Sequence, residues 1–429
     1  MSTAMAEQAD TDTVQVRDRA DKARQVKLVS LYALVALMLL FFALSIDDGN
    51  VRYLLSSGTE PGEVDGKPLT WAAFAVVVGA LVLAVLNRVP KGGAGVAIHL
   101  LVGLAFFLGF MFWVYSDQAG GNSIIMQNPL PGTIRLATPL VLGALAGVLC
   151  ERAGVINIAI EGQMLMGAFF ASVASSLAYS AEMGLVGGIL AGVAMGALLA
   201  VFAIRYLVNQ VVLGVVLIAL ATALTSFFLS QIPNDPEIKG YLNEPLVLPR
   251  IDIPVLSEIP VIGQALFSQS ILVYLTYLSV VLVTWLLFQT KWGLRVRSVG
   301  EHPKAADTVG IKVNRVRWQA VLLGGVLAGL AGSYFTIGST GAFDNGASAG
   351  NGFIALAAVI MGRWHPVFAS LSALFFGLMW TLQSQLQFLD KIPGELLRAS
   401  PYLATIVAVA GFVGRVRPPA ADGEPYVKS

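Results

Sequence analysis

Apolar residues along this chain come in long unbroken runs separated by short polar punctuation, and a spanning helix needs about 20 mostly apolar residues. Such runs cover Leu28–Ile46, Trp71–Leu86, Ala97–Tyr115, Leu136–Cys150, Ile156–Tyr179, Met183–Ile204, Val211–Leu229, Ile271–Phe288, Ala320–Ile337, Val367–Leu386 and Tyr402–Val413. One further run, Phe353–Met361, is too short to cross and predicts a half-helix or re-entrant piece. A membrane barrel would instead show alternating segments of about 10 residues, which are absent from this pattern. The pattern therefore predicts an all-α polytopic integral membrane protein with about 10–12 membrane segments.

The polar punctuation orients these runs. Short loops rich in Lys and Arg stay on the cytoplasmic side. The N-terminal tail, residues 1–27, carries Arg17, Arg19, Lys22, Arg24 and Lys27; later basic stops are Arg88 and Lys91, Arg152, Arg205, the segment Lys291–Arg317, Arg363, and Arg415 with Arg417. The loop over 47–69 and the Pro-rich stretch 231–269 then fall outside, so Asn243 is expected to be reachable from outside and Ser298 from inside. Both termini are expected in the cytoplasm, with residues 28–415 as the transmembrane domain and 416–429 as a C-terminal tail. Asp47 and Asp48 follow the first apolar run in place of a small-residue cleavage site, which predicts a retained span and not a removed signal peptide.

Composition agrees: the chain of 429 residues is 56% hydrophobic and 12% charged, against roughly 25% charged in soluble domains. The net charge of +1 is sorted by position, so it points to no acidic partner or nucleic acid. Cys150 is alone, which excludes a disulfide framework. His99, His302 and His365 share no ligand spacing, and no metal or catalytic set is expected. Gly184, Gly188, Gly192 and Gly196 recur every fourth residue, and Gly325, Gly329 and Gly332 repeat the device; such bare stripes let helix backbones approach closely. The stretches starting at Thr138 and Gln319 share small-residue spacing while running in opposite directions on the predicted path, as inverted repeats in transporters do.

No span carries an acidic or basic residue at its centre, which argues against an ion-coupled carrier, because intramembrane charges are kept for ion and proton handling. A membrane enzyme would gather His, Asp or Glu at one interface, and no such cluster stands out. No GxxxxGK[ST] loop is present, so the chain does not itself cradle ATP phosphates. A transporter so built takes its energy from a partner. The basic segment 291–317, whose helix-forming centre is bracketed by Gly300 and Gly310, is the natural docking element.

The stretches Cys150–Phe169, Asn209–Leu217, Gly293–Arg317 and Ala349–Pro366 resemble the permease subunits of bacterial ABC importers of the branched-chain amino acid, ribose and simple-sugar group, nearest to its nucleoside and simple-sugar branch. The resemblance covers residues 130 to 415 and is weaker over 1–130. It implies an inverted-repeat permease in the bacterial cell membrane, non-catalytic itself, assembled with a second and non-identical permease, cytoplasmic ATPase subunits that bind ATP and magnesium, and an external substrate-binding lipoprotein. No cofactor is implied in this chain.

In that picture the ATPase-coupling residues are Gly300, Glu301, Pro303, Lys304, Ala305, Ala306 and Gly310, with Glu301 and Lys304 making charged contacts and the two alanines allowing close approach. Candidate residues of the substrate path are Asn157, Glu161, Gln163, Asn209, Gln210, Asn351 and Phe353, whose amides and aromatic face suit a neutral polar solute such as a nucleoside or sugar. Amides at a helix break also serve freed backbone groups, and that alternative stays open for Asn157 and Gln163. Glu151 and Arg152 read as a local ion pair, and His99 as an interfacial core residue. Another solute, such as an amino acid, is the alternative cargo for the same architecture.

Overall fold

The computed structural model describes residues 2–47, 49–55, 60–116, 125–232, 242–389, 391–411 and 417–428, with backbone alone for 2–20, 340 and much of 398–411. Part of the 231–269 stretch and Val413 with Arg415 fall outside these residues. Among the described residues nine helices are long and apolar enough to cross a membrane. The chain forms a polytopic helical membrane protein.

Two compact units divide what the sequence presents as one transmembrane stretch: Met1–Asn128 with Phe388–Lys391, and Pro129–Gln387 with Ile392–Ser429. The first holds α1 (Ser2–Leu44), α2 (Gly66–Val85) and α3 (Gly93–Tyr115) with a small sheet of β1 (Asn50–Leu54), β2 (Gly62–Asp65) and β3 (Met126–Gln127). β1 pairs antiparallel with β2 and parallel with β3. Asp65 ends β2 and caps α2, accepting from the Lys67 amide at 3.0 Å. Tyr32, Leu39, Phe42, Val77 and Val102 form its core, and Phe42 stacks on Trp113 at 4.6 Å. His99 lies in this unit, half-buried and edge-on to Tyr32 at 5.9 Å, with a hydrogen bond to the Gly95 carbonyl.

The second unit is built around α4 (Leu130–Arg152), whose apolar window is 83% buried, and α12 (Val313–Ser333), 72% buried. The flanking helices α7 (Gln210–Gln231) and α9 (Ile271–Gln289) are only 28% buried and present their apolar sides outward. α4 and α12 run antiparallel: Cys150 lies against Ala320, and a Cβ on Gly324 would touch Ala146. The two stretches singled out by their shared spacing thus pack directly on each other in opposite directions.

α5 (Ile160–Ala178) and α6 (Ala181–Ala200) complete the centre. The glycine stripes serve packing. A Cβ on Gly192 would lie 2.3 Å from the Gly325 carbonyl oxygen, and one on Gly329 would lie 2.2 Å from that of Gly188. α6 and α12 therefore touch backbone to backbone. Each ends in a π-helical turn, Val201–Arg205 and Thr336–Thr340, a departure that nothing in the apolar pattern announces.

At the opposite end from the basic loops lies a hairpin of β4 (Arg250–Asp252) and β5 (Ser268–Ser270), with the short helix α8 (Gly263–Phe267) between them. Asn243 precedes it and is buried, contrary to the exposure expected for it. Its Oδ1 accepts from Ser172 Oγ at 2.7 Å and from the Phe343 amide at 2.8 Å, fastening the connection to α5. Between the strands Ile253-Pro254-Val255-Leu256 and Ile259-Pro260-Val261-Ile262 repeat one shape: each Val has φ near 68 or 67 and is closed by a bond from the following amide to the proline carbonyl, 2.8 and 2.7 Å. The remaining elements are α10 (Lys291–Glu301), α11 (Pro303–Thr308), α13 (Asn351–Met361), α14 (Pro366–Leu386) and α15 (Gly394–Gly411).

Candidate functional site

Two helices of the second unit begin inside it. α4 stops at Arg152, the chain breaks over Ala153–Ala159, and α5 starts at Ile160. α13 has 11 residues, which at about 1.5 Å each gives about 16 Å, roughly half of a 30 Å hydrocarbon core. It runs parallel to α4, with Ala355 beside Gly143 and Val359 beside Gly147. The expected half-helix is present.

Glu161, in the first turn of α5, joins the two starts. Its Oε1 accepts from Ser348 Oγ at 2.7 Å and the Gly350 amide at 2.8 Å, and its Oε2 accepts from the Gly352 amide at 2.6 Å. Helix N-termini carry partial positive charge and unpaired N–H groups, so this carboxylate from the first turn of α5 satisfies the start of α13. A Cβ on Gly352 would lie 2.5 Å from the Glu161 amide, and only glycine admits this approach. Glu161 lies near the start of the Ile156–Tyr179 run and not at its centre, and its buried carboxylate is taken up by two backbone amides and one hydroxyl. Asn351 donates to the Ser348 carbonyl at 2.7 Å, and Phe353 is half exposed on the outer side of α13.

The other amides lie deeper or nearer the basic end. Asn157 and Gln163 are fully buried and meet each other, Nδ2 to Oε1 at 3.1 Å. Asn157 also donates to Cys150 Sγ, while Asn157 Oδ1 and Gln163 Nε2 make no hydrogen bond within the protein. Gln210 accepts from the Ile156 amide at 2.7 Å and so holds the α4–α5 break to the start of α7. Asn209 is exposed and caps α7, accepting from the Val211 and Val212 amides at 3.1 Å each. The seven candidates do not form one lining: Glu161, Asn351 and Phe353 gather at the α13 start, Asn157 with Gln163 beside the break, and Asn209 with Gln210 at the basic end.

Glu151 and Arg152 do not pair with each other. Trp364 Nε1 donates to Glu151, and Arg152 Nε donates to the Trp364 carbonyl at 2.8 Å. Arg363 and Trp364 both have positive φ, 53 and 54, an uncommon state for bulky residues. The two side chains clamp this turn between α13 and α14. His365 follows, stacked on Phe288 at 4.8 Å, with its pKa lowered by burial and by the charge of Arg152.

The segment expected to dock a partner forms two short helices. α10 runs through Gly300, which is buried: its Cβ would lie 2.2 Å from the Arg152 carbonyl oxygen. Gly300 is therefore a close-packing point and not a helix boundary. The break falls at His302, with Pro303 opening α11 and Gly310, at φ 85, closing it. Glu301, Lys304, Ala305 and Val309 are exposed, Val309 at 75%. Ala306 is buried at 4% in the core with Val299, Val313 and Val316. Of the two alanines expected to admit a partner, only Ala305 faces outward.

The described C-terminal residues lie on the same end. Ala421 donates to the Gly300 carbonyl at 2.9 Å, and Arg317 Nη1 donates to the Glu424 carbonyl at 2.9 Å. Burial pushes the Asp422 carboxyl up to about 7, against the pull of the Arg317 guanidinium. Nothing in the sequence reading pointed to this contact, because a short polar end carries no periodic signal.

Residues 130–414 match the family model described as branched-chain amino acid transport system / permease component. Over 315 residues the chain is 39% identical to the guanosine ABC transporter permease protein NupQ of Bacillus subtilis, covering 71% of this chain and 98% of that one. It is likewise 39% identical over 303 residues to the nucleoside ABC transporter permease protein NupC of Lactococcus lactis, covering 68% of this chain and 94% of the relative. A putative glucose ABC transporter permease protein of Haloferax volcanii, TsgC13, is 35% identical over 266 residues, 61% of this chain and 78% of its own length. No solved structure matches.

Proposed function

Because the chain belongs to the permease-component family of branched-chain amino acid transport systems, we propose that it is the membrane-spanning subunit of an ATP-driven importer for nucleosides. ATP with magnesium is bound and hydrolysed by a separate cytoplasmic subunit, and an external binding lipoprotein delivers the solute. A second, non-identical permease completes the pore; two guanosine permease proteins of Bacillus subtilis, NupQ and NupP, are 39% and 28% identical to this one chain. The observation that carries the reading is the 39% identity over nearly the full length of two permeases named for guanosine and nucleoside transport.

The interior supports a neutral cargo. The buried carboxylate of Glu161 accepts from three donors, and the other buried polar groups nearby are amides and hydroxyls. The half-helix starts at α5 and α13 correspond to the interrupted helices around which transporters build their sites. In this reading the basic end, with α10 and α11, faces the cytoplasm. Phe353 and Asn351 are the residues of this chain placed to meet solute, Phe353 by stacking. Glucose is the second reading, favoured by the Haloferax relative.

The test is uptake of labelled guanosine by the reconstituted complex, with ATP inside and binding protein outside. Import competed by unlabelled nucleosides and not by glucose supports the reading. Competition by glucose alone transfers the cargo to simple sugars, and import that survives without ATP overturns it.

A further inference from the structure

Residues 417–428 lie beyond the family match, which ends at 414, yet Pro419, Ala421 and Tyr426 among them are buried, Ala421 at 3% and Tyr426 at 7% exposure. On one side they meet the break that leads into α5. A Cβ on Gly154 would lie 2.9 Å from the Ala421 carbonyl oxygen, and one on Gly423 would lie 2.6 Å from Ile156 Cδ1. On the other side they meet all three elements of the basic segment. The Ala421 amide donates to the carbonyl of Gly300 in α10, and the Ala420 amide to Glu301 Oε2 at 3.3 Å. The Tyr426 side chain interacts electrostatically with Asp307 of α11, and Arg317 at the start of α12 donates to the Glu424 carbonyl.

We propose that Pro418–Tyr426 is a coupling strap, a positioning element that binds α10 and α11 to the α4–α5 break so that motion of the one is passed to the other. The inference rests on the reading of α10 and α11 as the face that meets the ATPase. Its physical basis is the chain of contacts. From the strap, Ile156 is followed at once by Asn157, and Glu161 with its hold on α13 comes four residues later. Pro418, Pro419 and Pro425 restrict the strap's backbone, and Gly423, at φ 77, makes the turn that seats it on Ile156. A stiff link transmits displacement where a loose tail would absorb it.

The experiment uses the full complex in proteoliposomes and reads solute imported per ATP hydrolysed. The variants are a chain stopped after Arg417, Gly423→Val, and Tyr426→Phe. A strap gives stimulated ATP hydrolysis near the wild-type rate with a fall in imported solute per ATP of about fivefold or more in the first two variants, and a smaller fall in Tyr426→Phe. If hydrolysis and import drop together in constant ratio, or if neither changes, the segment is structural or idle and the inference is overturned. Should the truncated chain fail to insert, the ratio in the two point variants decides by the same criterion. A wild-type complex without ATP-dependent import would refute the proposed function itself, a different outcome from an unchanged ratio.

Discussion

The carboxylate of Glu161 sits 2.6 Å from the backbone nitrogen of Gly352, so that the first turn of one interrupted helix caps another. Two helix starts whose partly positive ends would repel each other are joined through this one carboxyl group. The absence of a side chain at Gly352 is what lets the two backbones come this close.

Glu161→Ala should therefore destabilise the permease, since it leaves the half-buried Gly350 amide, the buried Gly352 amide and the Ser348 hydroxyl unpaired at about 1–3 kcal/mol each for the buried groups. Glu161→Gln keeps one acceptor and should fall between. Thermal unfolding of the detergent-solubilised protein measures the difference, and an unchanged midpoint for Glu161→Ala would remove the capping role.

How much of this was legible in the sequence follows from what each signal encodes. Runs such as Ile271–Phe288 and the lone short run at Phe353–Met361 report membrane helices directly, because the bilayer tolerates little else. The glycine spacing of α6 likewise foretold a close-packed face, though not that α12 is the helix packed on it. Partner choice was not legible: Glu151 and Arg152 are adjacent, but helix geometry turns them to different sides of Trp364. Nor could a pattern of small residues tell which of Ala305 and Ala306 faces inward, since that depends on how a six-residue helix is seated. The role of Glu161 was half visible, as a polar residue at a break, without the partner helix that its carboxylate caps.

The glycine contact between α6 and α12 predicts that Gly192→Ala is costly, because the added carbon would lie 2.3 Å from a backbone oxygen that cannot rotate away. Overpacking of this kind costs about 1–3 kcal/mol. Gly103→Ala, at a helix position with nothing within 4 Å, is the control and should be neutral or slightly stabilising. Folded yield and unfolding temperature of the two variants check the contrast; equal behaviour would refute the close-contact account.

Orientation is tested with single cysteines at exposed positions. Val255 is 74% exposed in the hairpin segment, whereas Asn243 is buried and unsuited. Val255→Cys should react with an impermeant thiol reagent in intact cells, and Lys304→Cys only after permeabilisation. The native Cys150 is buried and should stay silent. Reversed labelling would invert the assignment of the basic end to the cytoplasm.

Asp422 predicts a pH dependence. Its carboxyl, ordinarily near 3.8, is raised to about 7 in the folded chain because burial outweighs Arg317 and the Gly423 amide; Glu151 and Glu424 are the other carboxyls near this cluster. The folded state thus holds a proton that the unfolded chain releases, so stability is greatest at low pH and is lost as pH rises through 7. Hydrogen exchange of the Ala420 and Ala421 amides should quicken between about pH 4 and pH 7 beyond the intrinsic rate and level off above, and Asp422→Asn should abolish that excess. An excess of equal size in Asp422→Asn would place its origin elsewhere.

The outward face of α11 yields the sharpest separation between a docking surface and a structural loop. Ala305 is exposed and Ala306 is buried on the same helix, one residue apart. Ala306→Trp forces a large ring into a core shared with Val299, Val313 and Val316, and it should lower the unfolding temperature of the permease whether or not a partner is present. Ala305→Trp adds bulk only at the surface, so the permease alone should unfold as the wild type does. If α11 rests on an ATPase, that one ring intrudes on a packed interface where few residues carry the binding. The expected result is loss of ATPase co-purification, or of its stimulation by loaded binding protein, in Ala305→Trp at normal stability. Full transport by Ala305→Trp would show that this face meets no partner and that the basic segment serves only to orient the chain.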